Sequence, residues 1–276
     1  MRAVLLALGA GLSYGVGDFL GGLSARRARV LTVLALSQAT GAVAVGAWAF
    51  AEREPFLGVG AVAAAGAAGV CGVVGLGALY RGMAVGAMGV VAPISSVAAA
   101  IPFAYGVARG ERPSLLQFVG VLIALGGLAL VSRSPGARAT AVAAGVGLAL
   151  IAAVGFGLYF VFLDEAASES VPWTVLVARL TSLALVLALV AASRTTLRPG
   201  PLLVPILAVG LCDVSANVLF ALATTRGLLS IVSVLTSLYP AVTVALAAVV
   251  LRERVTGMQL TGAAAVLAGA ALISAG

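Results

Sequence analysis

Two ionisable residues stand inside otherwise apolar stretches. Arg179 lies about eight residues into the run Val171 to Ala192, and Asp213 about ten residues from the end of the run Pro201 to Thr224. At 1.5 Å per residue, antiparallel neighbouring helices would set the two within about 5 Å in depth, within reach of an Arg side chain. A charge at the centre of a bilayer costs about 2.5 to 3.5 kcal/mol on insertion scales, so it calls for a counter-charge or a wet cavity. The spacing therefore predicts that Arg179 and Asp213 pair. Two readings of the pair stay open: it lines a cavity in which Arg179 receives an anionic group of a solute in exchange for Asp213, or it is a buried bridge that only ties two helices together. Asp18 invites the same two readings, because it lies near the end of the first apolar run that shares a side with Arg81.

Polar groups without charge accompany these three. Ser230, Ser233 and Ser237 recur at i, i+3 and i+7, on one narrow helical face, with Tyr239 and Pro240 just beyond. At the matching place in the first half stand Ser95 and Ser96, beside Pro93. Such a Ser face serves as readily for helix contact as for lining a pore. Asn217, Tyr14, Tyr80, Tyr105 and Tyr159 could add stacking and hydrogen bonds around a cavity, although a Tyr near a helix end also anchors at the membrane interface.

Several chemistries are excluded by what is missing. The 16 basic residues are all Arg, so no phosphate-gripping Gly-rich sequence ending in Lys exists to drive the protein with nucleotides. There is no His, and Cys71 and Cys212 sit apart inside apolar runs, so metal sites and base-assisted nucleophiles lack ligands and base. The acidic pairs Asp164-Glu165 and Glu52 with Glu54 fall at loop ends and read as solvated. No catalytic residue, metal or cofactor is expected.

The elements that hold these residues follow from composition. With 62% hydrophobic and 9% charged residues, the 276-residue chain has far too few charges to cover a soluble globule. Its mean hydropathy of +1.20 places it in a lipid bilayer. The net charge of +7 is scattered through short inter-span segments, which suits anionic headgroups rather than the clustered basic face of a nucleic-acid binder. Runs long enough to cross about 30 Å of hydrocarbon are expected over Val4 to Ser24, Leu31 to Ala51, Leu57 to Tyr80, Met83 to Val107, Leu115 to Val131, Thr140 to Leu163, Val171 to Ala192, Pro201 to Thr224, Leu228 to Leu251 and Gly257 to Ala275. Backbone polar groups must be satisfied internally in lipid, so these are helices.

The chain is also doubled. A shift of 142 residues carries Ser95 onto Ser237, Glu111 onto Glu253, Arg112 onto Arg254, Gln117 onto Gln259, Gly120 onto Gly262, Gly127 onto Gly269 and Ser132 onto Ser274. With small drifts, Thr32-Val33-Leu34 matches Thr174-Val175-Leu176, Cys71 matches Cys212, and Gly15 with Gly17 matches Gly155 with Gly157. The expected fold is all-α and integral to the membrane, with ten transmembrane helices arranged as two five-helix repeats, residues 1–138 and 139–276. Five is odd, so the repeats are inverted. The Arg count favours both termini on the outside.

The turns Gly110-Glu111-Arg112 and Arg252-Glu253-Arg254, each followed by Gln and spaced Gly, resemble those of EamA-type members of the drug/metabolite transporter superfamily. Val90-Val91-Ala92-Pro93-Ile94-Ser95-Ser96 and Ser237-Leu238-Tyr239-Pro240 are similar to that family's fourth-helix patterns, and Pro172-Trp173 followed by Arg179 to its second-helix pattern. The first half departs from two-fold equivalence: Ser37 stands where Arg179 would recur, and Ala98 where the Pro would. The resemblance implies ten helices around a central cavity, alternating access, export of amino acids, other metabolites or drugs, and cytoplasmic termini. The expected activity is secondary transport of small organic solutes across the cytoplasmic membrane by a multi-pass monomer or homodimer. Arg179, Asp213, Asn217, Ser233, Ser237, Ser95, Ser96, Tyr80, Tyr14 and Asp18 are its candidate substrate-binding residues. A non-transporting membrane scaffold or subunit of a membrane complex is the alternative.

Overall fold

The computed structural model describes residues 2–85, 91, 94–131, 139–250 and 257–275. Val90, Ala92, Pro93, Ser132, Arg133, Arg138, Arg252, Glu253 and Arg254 lie outside them, as do the side chains of Ser96, Gln259 and Ser274. Every element among the described residues is helical: α1 (Arg2–Ala25), α2 (Val30–Glu52), α3 (Val59–Val85), a short 3-10 turn (Ser96–Ala99) leading into α4 (Ala100–Ala108), α5 (Leu115–Val131), α6 (Ala139–Ala167), α7 (Val171–Ala192), α8 (Leu203–Thr224), α9 (Leu229–Thr236), α10 (Tyr239–Val250) and α11 (Gly257–Ala275). Among the described residues, six helical stretches are long and apolar enough to cross a membrane: α1, α2, α3, Gly145–Ala167 of α6, α7 and Gly200–Thr224 around α8. The protein is a multi-pass membrane protein.

Local chemistry sets the ends of these helices. Ser170, in extended conformation, precedes α7 and its Oγ accepts from the Trp173 N–H at 3.5 Å, while Pro172 occupies the first turn, where a missing N–H costs nothing. Gly110, at φ 97°, makes the turn that leaves α4, a left-handed conformation that favours glycine.

The fourth and ninth apolar runs, each expected as one span, are broken. In the ninth, α9 stops at Thr236, the chain turns through Ser237 and Leu238, and α10 begins at Tyr239. Pro240 has no N–H to offer the Thr236 carbonyl four residues earlier, so a continuous helix would lose a bond there. In the fourth, the 3-10 turn occupies the residues just ahead of α4, whose third residue, Pro102, likewise cannot donate to the Ala98 carbonyl.

The packing joins the two halves element by element. The most extensive contacts are α3 with α6, α5 with α11, α1 with α8 and α2 with α7, and α9 lies against α4. Exchanging the halves maps this set onto itself. Glycines matched by the 142-residue shift meet at a close crossing of α5 and α11: a Cβ on Gly120 would lie 2.8 Å from the Gly269 carbonyl, and one on Gly127 would lie 2.7 Å from that of Gly262. These pairings run in opposite order along α5 and α11, so the two helices are antiparallel, and small residues let their backbones touch as membrane helices require. Gly17 lies against the side chain of Cys212, at 3.3 Å from a Cβ placed on the glycine, and Gly155 against the Cys71 carbonyl, at 2.8 Å, so each matched cysteine position borders a glycine of the other half. The apolar interior is continued by rings, including Phe160 stacked on Phe220 at 4.4 Å between centroids.

Candidate solute-binding cavity

Between the halves, α1, α2, α3, α6, α7, α8 and α10 surround a cavity in which the centre of a water-sized sphere can range over about 50 Å³. Its rings stand where glycines on the facing helix make room. A Cβ on Gly72 would fall 2.8 Å from the Tyr159 ring, and one on Gly75 would fall 2.9 Å from the Phe156 ring. Gly41 does the same for the charged group: a Cβ there would come within 3.3 Å of Nε of Arg179.

Arg179 is buried to 5% exposure and its Nη1 donates to Oδ2 of Asp213 at 2.5 Å, the ion pair that the depth of the two residues predicts. The same Nη1 donates to Oε1 of Gln38 at 2.5 Å. Three helices, α2, α7 and α8, are thus held to one guanidinium, and all three side chains line the cavity. Asn217, one turn beyond Asp213 on α8, accepts a hydrogen bond from the Tyr14 hydroxyl of α1 through Oδ1. Both face the cavity, as does Asp18.

Asp18 is 6% exposed, and among the described residues its carboxylate makes no hydrogen bond and no ion pair. Arg81, considered as its partner from the sequence, is exposed instead. Tyr239 closes one wall, and its hydroxyl lies 2.7 Å from Oγ of Ser95, a bond that joins the fourth and ninth segments. Ser182 also lines the space and donates to the Gly69 carbonyl at 2.7 Å, fastening α7 to α3.

Other candidates lie elsewhere. Ser233 and Ser237 are fully buried outside the cavity, and their hydroxyls donate along their own segment to the carbonyls of Ser230 (3.0 Å) and Ser233 (2.7 Å). Such back-bonding engages the donor of each Ser in apolar surroundings. Tyr80 is 1% exposed and packs over Gly21 of α1, behind the cavity wall. Ser96 opens the 3-10 turn, with its side chain outside the described part. Tyr105 sits at the surface, donating to Glu165 at 2.5 Å under the guanidinium of Arg109.

Gln38, Phe156, Phe160, Val175 and Ser182 are lining residues that the sequence reading passed over. Gln38 carried a signal, as an amide in the middle of an apolar run. No three His, Cys, Asp or Glu side chains converge on a metal-sized site among the described residues. The arrangement offers a fixed cation, a second carboxylate without a partner, an amide and several aromatic faces, which is binding chemistry.

No curated protein sequence matches the chain. A crystal structure of another protein superposes with a TM-score of 0.78 over 98% of this chain and 95% of the other, at 18% identity, which establishes a shared fold. The model of the EamA-like transporter family matches residues 1–133 and again residues 143–275. The chain therefore belongs to the EamA-like transporter family, whose members are transporters of the drug/metabolite superfamily.

Proposed function

We propose that the protein is a secondary transporter that exports small organic solutes across the cytoplasmic membrane by alternating access. In this reading residues 1–138 and 139–276 are two inverted five-helix repeats, ten spans in all, with the solute held between them. The antiparallel course of α5 and α11, which are equivalent in the two halves, supports the inversion. The broken fourth and ninth segments supply the irregular backbone that a membrane protein places only beside a cavity or within protein.

The observation that carries the reading is the Arg179, Asp213 and Gln38 cluster facing that cavity. A buried ion pair contributes little to stability compared with apolar packing of the same volume, which leaves ligand binding as its better use. Arg179 receives an anionic or polar group of the solute and gives up part of its contact with Asp213.

Vesicles containing the purified protein, loaded with a mixture of amino acids, amines and other metabolites, test this by mass spectrometry of what leaves. Arg179→Ala is expected to abolish efflux in a protein that still inserts. The double variant Arg179→Gln with Asp213→Asn, which leaves no charge unpaired, is expected to stay inactive too. Normal flux in either folded variant would take Arg179 out of the solute's path, and no flux from the unmodified protein above empty vesicles would overturn the carrier reading.

A further inference from the structure

The charges around the cavity do not balance. The cation of Arg179 is taken up by Asp213, and the Gln38 amide closes the remaining contact on Nη1. Asp18 is left as a carboxylate that is more than nine-tenths buried, faces the open space, and has neither hydrogen-bond nor ion-pair partner among the described residues. Burying an ionised carboxylate without a partner is among the costliest acts in a protein, and either a proton on Asp18 or a cation arriving beside it relieves that cost.

The walls narrow the choice of cation. Tyr14 and Tyr239 stand edge to face with centroids 6.4 Å apart, Tyr14 and Phe160 do the same at 6.1 Å, and Tyr159 continues the series at 5.7 Å from Phe160. Aromatic faces carry negative charge density and hold an organic ammonium without the hydration an inorganic cation demands. The hydroxyl of Tyr14 is committed to Asn217 and that of Tyr239 to Ser95, so these rings present faces and edges rather than free polar groups.

We propose that Asp18 is the receptor for the ammonium group of the solute, and that the cavity takes organic amines with an apolar or aromatic body. A simple organic anion is disfavoured, because Asp18 and Asp213 outnumber the single cation. The proposal relies on the carrier reading only for the route by which the amine comes and goes, and binding tests it separately.

The experiment is calorimetric titration of the detergent-purified full chain with three probes of nearly equal size: 2-phenylethylamine, 3-phenylpropionate and 2-phenylethanol. The amine is expected to bind saturably, with the other two at least about tenfold weaker. Asp18→Asn keeps the side chain's size and removes its charge, and it is expected to weaken the amine by at least about tenfold without lowering the thermal midpoint, while Asp18→Glu retains binding. The charge preference of the unmodified protein decides the question should Asp18→Asn fail to fold. Equal or tighter binding of the anion or the alcohol, no binding of the amine, or unchanged amine affinity in a folded Asp18→Asn protein would each overturn the proposal. Amine binding without flux of any solute would leave this site standing and remove the carrier reading, whereas flux without preference for the amine would do the reverse.

Discussion

Glu111 caps a helix of the opposite half: its carboxylate oxygens accept from the backbone N–H groups of Leu229, at 2.7 Å, and Ser230, at 2.9 Å, where α9 begins. The first N–H groups of a helix have no partner within it, and a carboxylate there satisfies two of them while meeting the positive end of the helix dipole. Gly106 is the complement of this arrangement, since a Cβ at that position would overlap the Glu111 carboxylate. The Glu of the Gly-Glu-Arg turn thereby fixes where the broken segment starts.

Replacing Glu111 by Ala removes both bonds. The loss expected is about 1 to 2 kcal/mol, the upper range for a helix cap, or a fall of about 2 to 8 °C in the thermal midpoint in detergent. Asp at the same position is too short to bridge from the loop and is expected to recover little. Thermal unfolding of the three proteins measures this, and equal midpoints for Glu and Ala would show that α9 does not depend on the cap.

The Arg179 and Asp213 pair makes a prediction of non-additivity. Removing one partner leaves a charge at low exposure without its counter-ion, at a cost of about 3 to 5 kcal/mol, whereas neutralising both avoids that penalty. Arg179→Gln alone is thus expected to be much less stable than Arg179→Gln combined with Asp213→Asn. A double-mutant cycle on unfolding would show the second substitution restoring stability, and simple addition of two losses would contradict the burial of the pair.

The crossing of α5 and α11 is expected to reject any side chain at one glycine and accept it at another. Around a Cβ on Gly120 lie the Gly269 carbonyl and Cγ1 of Ile273 at 2.8 Å and the Ile273 nitrogen at 2.9 Å, two of them backbone atoms that cannot step aside, while nothing lies within 4 Å of a Cβ placed on Gly126. Gly120→Leu is expected to lower the thermal midpoint sharply, by the equivalent of about 2 kcal/mol or more, and Gly126→Leu to leave it within experimental error. Matching effects at the two positions would mean that the helices do not touch here.

The fold was legible to the degree that hydrophobicity and doubling could carry it. Apolar runs about 20 residues long with almost no charge gave the helical elements, and their ends mostly agree within a few residues, as for Val171 to Ala192. The breaks at Ser237 and ahead of Ala100 were signalled by prolines but could not be located, because a proline in a membrane helix kinks, breaks or is tolerated according to what its neighbours offer the freed carbonyl. The ion pair of Arg179 and Asp213 could be foreseen because a charge in lipid demands company and depth arithmetic limits who can provide it.

Uncharged groups gave less away. Gln38 stood out only as an amide inside an apolar run, and nothing in the sequence named Arg179 as its partner, because the bond between them spans 141 residues. Ser233 and Ser237 looked like a polar stripe, yet a hydroxyl can bond its own helix, and only coordinates distinguish that from a pore lining. Glu111 read as a loop charge because its partners lie in the other half of the chain.

Access to the cavity from both faces of the membrane is the most direct test of the carrier account. Leu76 lines the cavity, so Leu76→Cys in a background of Cys71→Ala and Cys212→Ala places a single thiol inside it. In sealed vesicles of known orientation, a membrane-impermeant thiol reagent is expected to label this cysteine when added from either side. Labelling from one side alone, or from neither while detergent-solubilised protein reacts, would contradict alternating access.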